Sequence, residues 1–349
     1  MVASSSHLRS IFGAFSAIGY SAGVLQGQQL KAINHGHTEK GGSVRPDSHS
    51  IFEIGSLTKL FTALLFCDLK TRGVLDFDDP VNAYLPSKVR VPNHEGKEVT
   101  LLHLATHASG LPRMPYRHFV RRDDGQHPFS RFSVEDAYRF LDEVKLESHP
   151  GSKYAYSNFG YALLGHVLEL ASGADYQELV RTRICIPLAM EDTSIDLTAE
   201  QKRRFCHGYS MQGAPKTRRR LEFMGPAGGL RSSVDDLAKS LRQAAADPGS
   251  GLSGMLKSCM VIRRRWPVDF ISKLQSEPGF QDLQSAGVGL GWHVYSLRGR
   301  NFVWHSGGTR GFSSFIGLET LSKTGVVLLT NTNGDITDVG VRALSLAFA

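Results

Sequence analysis

The stretch from Phe52 to Thr62, FEIGSLTKLFT, places a serine and a lysine three residues apart. Positions i and i+3 lie on the same side of a helix, so the Lys59 amine can reach the Ser56 hydroxyl. A lysine with a lowered pKa can take the serine proton, which produces a nucleophile without a histidine. At a helix N-terminus, Ser56 would also have free backbone N–H groups near a developing oxyanion. The alternative is an N-cap serine with a solvated lysine, because S-x-x-K is short and matches by chance.

The residues that follow Ser56 predict an amphipathic helix. Apolar side chains recur at the i, i+3, i+4, i+7 and i+8 positions of a buried stripe. Gly73 follows Arg72 as a helix stop. The stripe consists of Leu57, Leu60, Phe61, Leu64 and Leu65.

The overall composition is that of an ordinary globular protein. The chain has 349 residues, of which 41% are hydrophobic and 21% charged, enough for one large domain or two interleaved ones. No apolar run approaches the roughly 20 residues that span a bilayer. The N-terminus lacks the basic start and apolar core of a secretory signal. We therefore expect a cytoplasmic protein without a membrane partner.

The formal charge of +7 is partly concentrated in two arginine triplets, at 218–220 and 263–265. No aromatic interleaving or known nucleic-acid module accompanies them. A solvated surface that attracts an acidic substrate is therefore favoured over nucleic-acid binding. The four cysteines are scattered without C-x-x-C spacing, so neither zinc ligation nor a disulfide framework is implied; they are Cys67, Cys185, Cys206 and Cys259.

Strand patterns occur at both ends of the chain and helical patterns in the middle. The expected fold class is α/β (α+β), an antiparallel sheet flanked by helices with an inserted helical domain. Residues 1–50 and 285–349 form the sheet domain and 51–284 the mainly helical one, with the active site at their junction. The predicted strands are 20–25, 29–34, 288–297, 302–304, 313–318 and 325–330, and the predicted helices are 134–144, 159–172, 176–184, 234–246 and 336–348.

Two further sequences carry candidate functional groups. In GSKYAYSNFGYALLG, the Tyr156 phenol can exchange protons with a serine if a cationic lysine lowers its pKa. Asn158 can bind an acyl amide or hold the Lys59 ammonium; alternatively it is the N-cap of the next helix. In VWHSGGTRGFSS, Gly307 and Gly308 allow a backbone N–H to approach a substrate closely, opposite the Ser56 N–H.

His305, in the same sequence, can assist proton transfer or orient a polar substrate group, or can be a structural histidine at a strand end. His103 and His107 have the i, i+4 spacing of a zinc helix but lack the H-E-x-x-H glutamate, so no metal is expected.

Three motifs occur in a fixed order: S-x-x-K at Ser56–Lys59, Y-x-N at Tyr156–Asn158 and H-x-G at His305–Gly307. In this order and at these separations they resemble the serine β-lactamase and penicillin-binding-protein superfamily, in its class C β-lactamase-like branch. That branch also contains esterases, D-amino-acid peptidases and lovastatin-type acyltransferases. The resemblance covers nearly the whole chain, and supporting matches lie at 75–81, 101–112, 150–151 and 226–236.

The resemblance implies a β-lactamase/transpeptidase-like fold and an acyl-enzyme on Ser56, formed from a small-molecule ester, thioester or amide. Lys59 and Tyr156 would share the general-base role, and the Ser56 and Gly308 N–H groups would form the oxyanion hole. Water, an alcohol or an amine would then release the acyl group. No cofactor is implied.

One departure from the family bears on the substrate. The β-lactamases and peptidases of this family carry K-T-G where this chain has His305-Ser306-Gly307. In those proteins the lysine of K-T-G binds a substrate carboxylate. Arg310 is a candidate to replace the charge, while Lys323-Thr324-Gly325 falls in a predicted hairpin turn. The departure favours esterase-like or transferase chemistry over a dedicated β-lactamase.

The leading hypothesis is a serine hydrolase. An acyltransferase of small-molecule biosynthesis, as in secondary metabolism, is the close rival, and an inactive scaffold of the same fold is a further alternative. The segment 112–131 is expected to line the cleft and set the substrate.

Overall fold

The computed structural model describes residues 5–116, 132–216, 221–246, 249, 251–267, 271–272, 275 and 281–347. Eight strands of this part form one antiparallel sheet in the order β2-β1-β12-β11-β10-β9-β8-β7. β1 pairs with both β2 and β12, so the first and last strands of the chain lie side by side. The expected fold class is confirmed. The strands of this sheet are β1 Gly19–Gln26, β2 Gln29–Gly36, β7 Arg264–Arg265, β8 Leu283–Val288, β9 His293–Leu297, β10 Arg300–Gly308, β11 Ser313–Glu319 and β12 Thr324–Thr330.

The helices of the described part surround the sheet and fill the middle of the chain. Two short pairs accompany them, β3 with β6 and β4 with β5. The helices are α1 Ser5–Gly13, α2 Thr58–Thr71, α3 Leu101–Ala105, α4 Val134–Glu143, α5 Asn158–Ser172, α6 Tyr176–Val180, α7 Ala199–Arg203, α8 Gly225–Gly228, α9 Val234–Ala245, α10 Leu252–Cys259 and α11 Thr337–Ala347; the short strands are β3 Phe52–Glu53, β4 Gly208–Tyr209, β5 Pro215–Lys216 and β6 Arg231–Ser232.

Both faces of the sheet are covered by apolar side chains. Because successive residues of a strand point to opposite faces, Val326 and Leu328 of β12 join a cluster with the terminal helices α1 and α11. Val327 and Leu329 join the larger cluster on the other face, which includes α2 and α9. The helical segment is thus packed on one face of the sheet.

Helix α2 differs from the amphipathic helix predicted for it. Every residue from Thr58 to Leu69 is buried, because α5, α8 and α10 all pack against it. A helix surrounded by protein needs no polar face. Its predicted stop is confirmed: the helix ends at Thr71 with Arg72 as its C-cap, and Gly73 follows with φ +70°.

Three predicted boundaries change. The strand expected at 288–297 is two strands, β8 and β9, because Gly289 and Gly291 form a turn packed against the Cys259 and Lys59 carbonyls. The strand expected at 302–304 extends over Arg300–Gly308 and therefore includes His305. The helix expected at 176–184 becomes a π-helical turn after Val180. Residue 348 of the predicted last helix lies outside the described residues.

The division into two domains remains a prediction; β7 and the first residues of β8 precede residue 285 and belong to the sheet. Over the described ranges, no helix is both long enough and apolar enough to cross a membrane.

Candidate active site

Ser56 lies in a tight 3-10 turn, Gly55–Leu57, that leads directly into α2. Gly55 has φ +49°, and a Cβ at this residue would lie 2.8 Å from the Gly308 nitrogen. The turn therefore needs glycine both for its backbone conformation and for its contact with β10. As a result the Ser56 backbone sits beside the end of β10, at the N-terminal end of α2.

Lys59 extends its side chain from the first turn of α2 towards Ser56. Its Nζ lies 3.1 Å from Ser56 Oγ and 2.6 Å from the carbonyl oxygen of Ala227, on α8. Burial first, and the charge of Arg113 second, hold the pKa of Lys59 well below its usual value. A neutral amine can donate one hydrogen to Ala227 and accept the Ser56 hydroxyl proton on its lone pair.

Tyr156 completes this group through a hydrogen bond with Ser56. Its ring centroid is 5.0 Å from Lys59 Nζ and 5.0 Å from Arg113 Cζ. Burial raises the pKa of Tyr156 to about 12, although the Ser56 hydrogen bond and Arg113 act in the lowering direction. The lowered pKa predicted from the sequence is therefore wrong, because desolvation outweighs the nearby positive charge. The phenol retains its proton at neutral pH.

Gly307 and Gly308 bring β10 against the Ser56 turn. A Cβ on Gly307 would lie 2.3 Å from the Ile54 carbonyl oxygen and 3.0 Å from the Ser56 nitrogen, whereas a Cβ on Gly308 would meet only one atom, at 4.0 Å. The Thr309 N–H bonds to the Phe312 carbonyl oxygen, and hydrogen-bonded pairs alternate along an antiparallel ladder. The Gly308 N–H therefore points away from β11, on the side where the Ser56 turn lies.

A cleft of about 500 Å³ opens in front of these groups. Ser56 and the backbone of α8 form its inner part, while residues after β10 and from β5 form its outer part. Its lining residues are Glu53, Ser56, Met114, Asn158, Ser210, Lys216, Leu221, Met224, Ala227, Gly228, Gly229, Arg231, Gly308, Thr309, Arg310 and Asn333. This volume is typical of a small-molecule site.

Asn158 lines the cleft as the first residue of α5. Its Nδ2 lies 3.2 Å from the Met114 sulfur. The alternative in which Asn158 caps this helix is wrong: Ser157 is the N-cap, because its Oγ accepts the Gly160 N–H at 2.9 Å. The Asn158 side chain is therefore not used for capping and faces the cleft.

His305 is 3% exposed and lies behind the cleft lining. Its ring centroid is 6.3 Å from that of Tyr156 and 5.2 Å from that of His293. Its Nδ1 lies 2.6 Å from the Ser306 carbonyl oxygen. A carbonyl can only accept, so Nδ1 carries the hydrogen. Burial lowers the pKa of His305 well below its usual value; its contact with a substrate remains a prediction.

The outer part of the cleft carries positive charge. Arg310 is exposed and Lys216 partly exposed, and both line the cleft. Of the segment 112–131 expected here, Met114 lines the cleft and residues 117–131 lie outside the described residues. The arginine triplet at 218–220 also lies outside them. In the other triplet, Arg264 donates to the Gly151 carbonyl oxygen at the edge of the sheet.

Several residues at the site were missed from the sequence. Arg113 directly follows the stretch 101–112, which resembles the family, and this position was the one sequence signal that could have indicated it. The Ala227 carbonyl lies in the matched stretch 226–236, but no residue type marks a backbone acceptor. Glu53 and Arg231, paired at 3.6 Å across β3 and β6, are 15% and 2% exposed. Breaking such a buried pair leaves one charge without its partner.

The histidines of the zinc-like pattern are engaged elsewhere. His103 Nδ1 accepts the Thr100 N–H at 3.1 Å, and His107 Nδ1 accepts the Ser157 N–H at 3.1 Å. Among the described residues, one group has the residue types and spacing for a metal ion, His94, Glu95 and His149, which is separate from the cleft lining. The cysteines are free and buried; Cys67 lies in the core, its sulfur 3.3 Å from that of Cys259.

Comparison with known proteins gives one consistent result. A family model described as Beta-lactamase matches residues 8–349. The chain is 31% identical over 312 residues to the D-alanyl-D-alanine-carboxypeptidase/endopeptidase AmpH of Escherichia coli, covering 88% of this chain and 78% of that protein. It is also similar to a β-lactamase/D-alanine carboxypeptidase from Yersinia pestis, with a TM-score of 0.77, 26% identity and coverage of 98% and 95% of the two chains. A penicillin-binding-protein homologue from Pyrococcus abyssi gives a TM-score of 0.81 at 26% identity, covering 98% of this chain and 76% of the other.

Proposed function

Because the chain belongs to the beta-lactamase family, we propose that it is a serine hydrolase that forms an acyl-enzyme on Ser56 from a small-molecule ester or amide. The observation that carries the proposal is the 3.1 Å approach of Lys59 Nζ to Ser56 Oγ in a buried site. In solution a lysine is protonated and cannot serve as a base at neutral pH. Here burial favours the neutral amine, the form that can accept a proton.

The two partners of Ser56 take different roles in this proposal. Lys59, with its lowered pKa, removes the Ser56 proton as the hydroxyl attacks the acyl carbon. Tyr156, with a pKa raised to about 12, is a proton donor rather than a phenolate base, and it delivers a proton to the leaving group. The Lys59 proton then replaces the one that Tyr156 has given, so the site returns to its starting charge.

The backbone N–H groups of Ser56 and Gly308 bind the oxyanion of the tetrahedral intermediate. The closeness of the two backbones around Gly55 and Gly307 supports this assignment. Donors held in place by a strand and a helix need no reorganisation during the reaction. Water then attacks the acyl-enzyme, and the ester or amide is hydrolysed overall.

Intact-mass spectrometry after incubation with a fluorophosphonate tests this proposal. We expect one adduct on the wild type, none on folded Ser56→Ala, and one on Ser210→Ala. Ser210 is a matched control, because it is a second serine of the same cleft. An adduct that persists on Ser56→Ala, or a folded wild type that never reacts, would overturn the proposal.

The fate of the acyl group separates hydrolysis from transfer. With a p-nitrophenyl ester as donor and increasing concentrations of an alcohol or amine, a hydrolase forms mainly the free acid. An ester or amide as the dominant product would identify the enzyme as an acyltransferase. A chromogenic β-lactam tests in the same assay whether β-lactams acylate Ser56 without the lysine of K-T-G.

A further inference from the structure

His107 lies at the centre of the contacts that support Tyr156. It follows α3 with φ +55°, a left-handed backbone conformation that is rare for residues other than glycine. Its side chain is buried, with 4% exposed. The chain thus turns sharply here and places both the carbonyl and the ring of one residue against the strand-like segment that carries Tyr156.

Two hydrogen bonds join His107 to the neighbours of Tyr156 on either side. The Ala155 N–H donates to the His107 carbonyl oxygen at 2.7 Å, and the Ser157 N–H donates to His107 Nδ1 at 3.1 Å. The Tyr156 ring packs against the imidazole, its centroid 4.3 Å from that of the His107 ring at an angle of 31°. One residue therefore fixes the backbone before and after Tyr156 and the plane of its ring.

The geometry also fixes the protonation state of the imidazole. Nδ1 accepts a hydrogen bond from a backbone amide, so the ring hydrogen must be on Nε2 and the ring must be neutral. A protonated ring would direct an N–H group at the N–H of Ser157. The surroundings act in the same direction: burial, followed by Lys59, His293, His305 and Arg113, lowers the pKa of His107 well below its usual value.

We propose that neutral His107 is a positioning residue that holds the Tyr156 phenol at the Ser56 hydroxyl through its ring and its carbonyl. This inference rests on the proposed function and extends it to a residue outside the three motifs. It assigns to His107 no proton transfer of its own. Small displacements of a proton donor reduce the rate of the chemical step more than they reduce binding, so His107 affects kcat rather than KM.

Two substitutions separate the contributions of the imidazole. His107→Asn keeps an acceptor near the position of Nδ1 and tolerates the left-handed backbone, but removes the ring contact. His107→Phe keeps a flat ring and leaves the Ser157 N–H without its acceptor. With a p-nitrophenyl ester, we expect kcat to fall about 10- to 100-fold in His107→Phe and clearly less in His107→Asn, with KM within about threefold of the wild type in both.

A double-mutant cycle distinguishes positioning from a general loss of structure. If His107 acts through Tyr156, His107→Phe will have little further effect in a Tyr156→Phe background, because interacting residues are non-additive. His103→Phe is the control: this histidine lies four residues earlier and contacts Thr100 rather than Tyr156. Its kcat should stay close to that of the wild type.

The outcomes are distinct. Additive losses in the cycle, or a folded His107→Phe variant that reacts with fluorophosphonate at the wild-type rate, would overturn the positioning role and leave the proposed function standing. A wild type in which Ser56 never reacts would overturn both. Circular dichroism and thermal unfolding of every variant confirm that the comparison is made between folded proteins.

Discussion

The inner and outer parts of the cleft use basic side chains in opposite ways. We define the floor of the cleft as Ser56, Lys59 and Tyr156. Burial lowers the pKa of Lys59 and of two neighbouring histidines, His107 and His305. The rim, Lys216, Thr309 and Arg310, carries basic side chains that contact water. Water stabilises the charged form of a base, and its exclusion stabilises the neutral form. The same residue type is thus suited to accept a proton on the floor and to carry a positive charge at the rim.

In the part of the chain that the structure describes, no carboxylate is hydrogen-bonded to the Lys59 amine, which is consistent with its lowered pKa. The two hydrogen-bond partners of Lys59 Nζ in the described residues are Ser56 Oγ and the Ala227 carbonyl oxygen. A carboxylate at hydrogen-bond distance would raise the pKa of Lys59 and stabilise its ammonium form, which has no lone pair to accept the Ser56 proton. Glu53, the acidic residue of the cleft lining, instead pairs with Arg231. The ion pair keeps a negative charge close to the site and away from Lys59.

The largest expected effect comes from replacing the lysine of each region by methionine. Lys59→Met removes the base, and we expect kcat/KM for a neutral p-nitrophenyl ester to fall by about 10³-fold or more. The apolar side chain suits the buried position, so the thermal unfolding temperature should not fall by more than about 5 °C. Lys216→Met, at the rim, should change kcat/KM less than about fivefold. Comparable losses in the two variants would contradict the distinction between floor and rim.

The next effect concerns the two glycines where floor and rim meet. Gly307→Ala forces a Cβ against the Ile54 carbonyl and the Ser56 nitrogen, so we expect activity to fall at least about 10²-fold through displacement of an oxyanion donor. Gly308→Ala adds a Cβ to open space and keeps the N–H, so its loss should be at least tenfold smaller. The acylation rate and the unfolding temperature of Gly307→Ala and Gly308→Ala should be measured to test this difference. Equal losses would show that the backbones of β10 and the Ser56 turn do not need their close contact.

Much of the floor could be predicted from the sequence, because its groups lie in short motifs with fixed local geometry. The spacing of Ser56 and Lys59 brings their side chains together on any helix, and the structure places them 3.1 Å apart. Ser133, three residues before Asp136, is of the residue type that caps helices, and the structure shows its capping box with Asp136 at the start of α4. The strand patterns at the two ends of the chain predicted one shared antiparallel sheet, and the structure joins the two ends through the pairing of β1 with β12.

What the sequence could not supply depends on contacts between distant segments. The pKa of Tyr156 rises because the folded chain excludes water around it, which no local pattern encodes. The burial of α2 from Thr58 to Leu69 on all sides results from helices up to about 200 residues away in the chain, so its own apolar stripe suggested only one covered face. The role of His107 requires the contact between residues 107 and 157, which connects two segments 50 residues apart in the chain.

The third prediction concerns the pH dependence of stability that arises from His293, a neighbour of His305. Burial lowers the pKa of His293 to about 4, and its ring lies against Trp304 and His305. Between about pH 6.5 and 4 the unfolded state binds a proton that the folded state does not, so stability falls as pH falls. A shift of this size corresponds to a loss on the order of 3 kcal/mol.

Chemical denaturation between pH 7 and 4 tests this dependence. His293→Phe keeps a ring against Trp304 and should give a shallower loss of unfolding free energy than the wild type. His207→Gln is the control, because His207 is an exposed histidine with 63% of its side chain accessible, and it should retain the wild-type slope. An unchanged slope in His293→Phe would show that other groups cause the acid sensitivity.

The smallest expected effect tests the rim alone. The Arg310 guanidinium is exposed at the mouth of the cleft, so its interaction with a bound anion is weakened by solvent. We expect Arg310→Gln to raise KM about three- to tenfold for an acyl ester that carries a carboxylate and to leave KM for its neutral methyl-ester analogue within about twofold. High salt should reduce the difference between the two esters in the wild type, because exposed charges are screened. Equal changes in KM for both esters would mean that Arg310 affects the shape of the cleft and does not recognise the carboxylate. A fall in kcat for the neutral ester would mean that Arg310 affects the chemical step at Ser56.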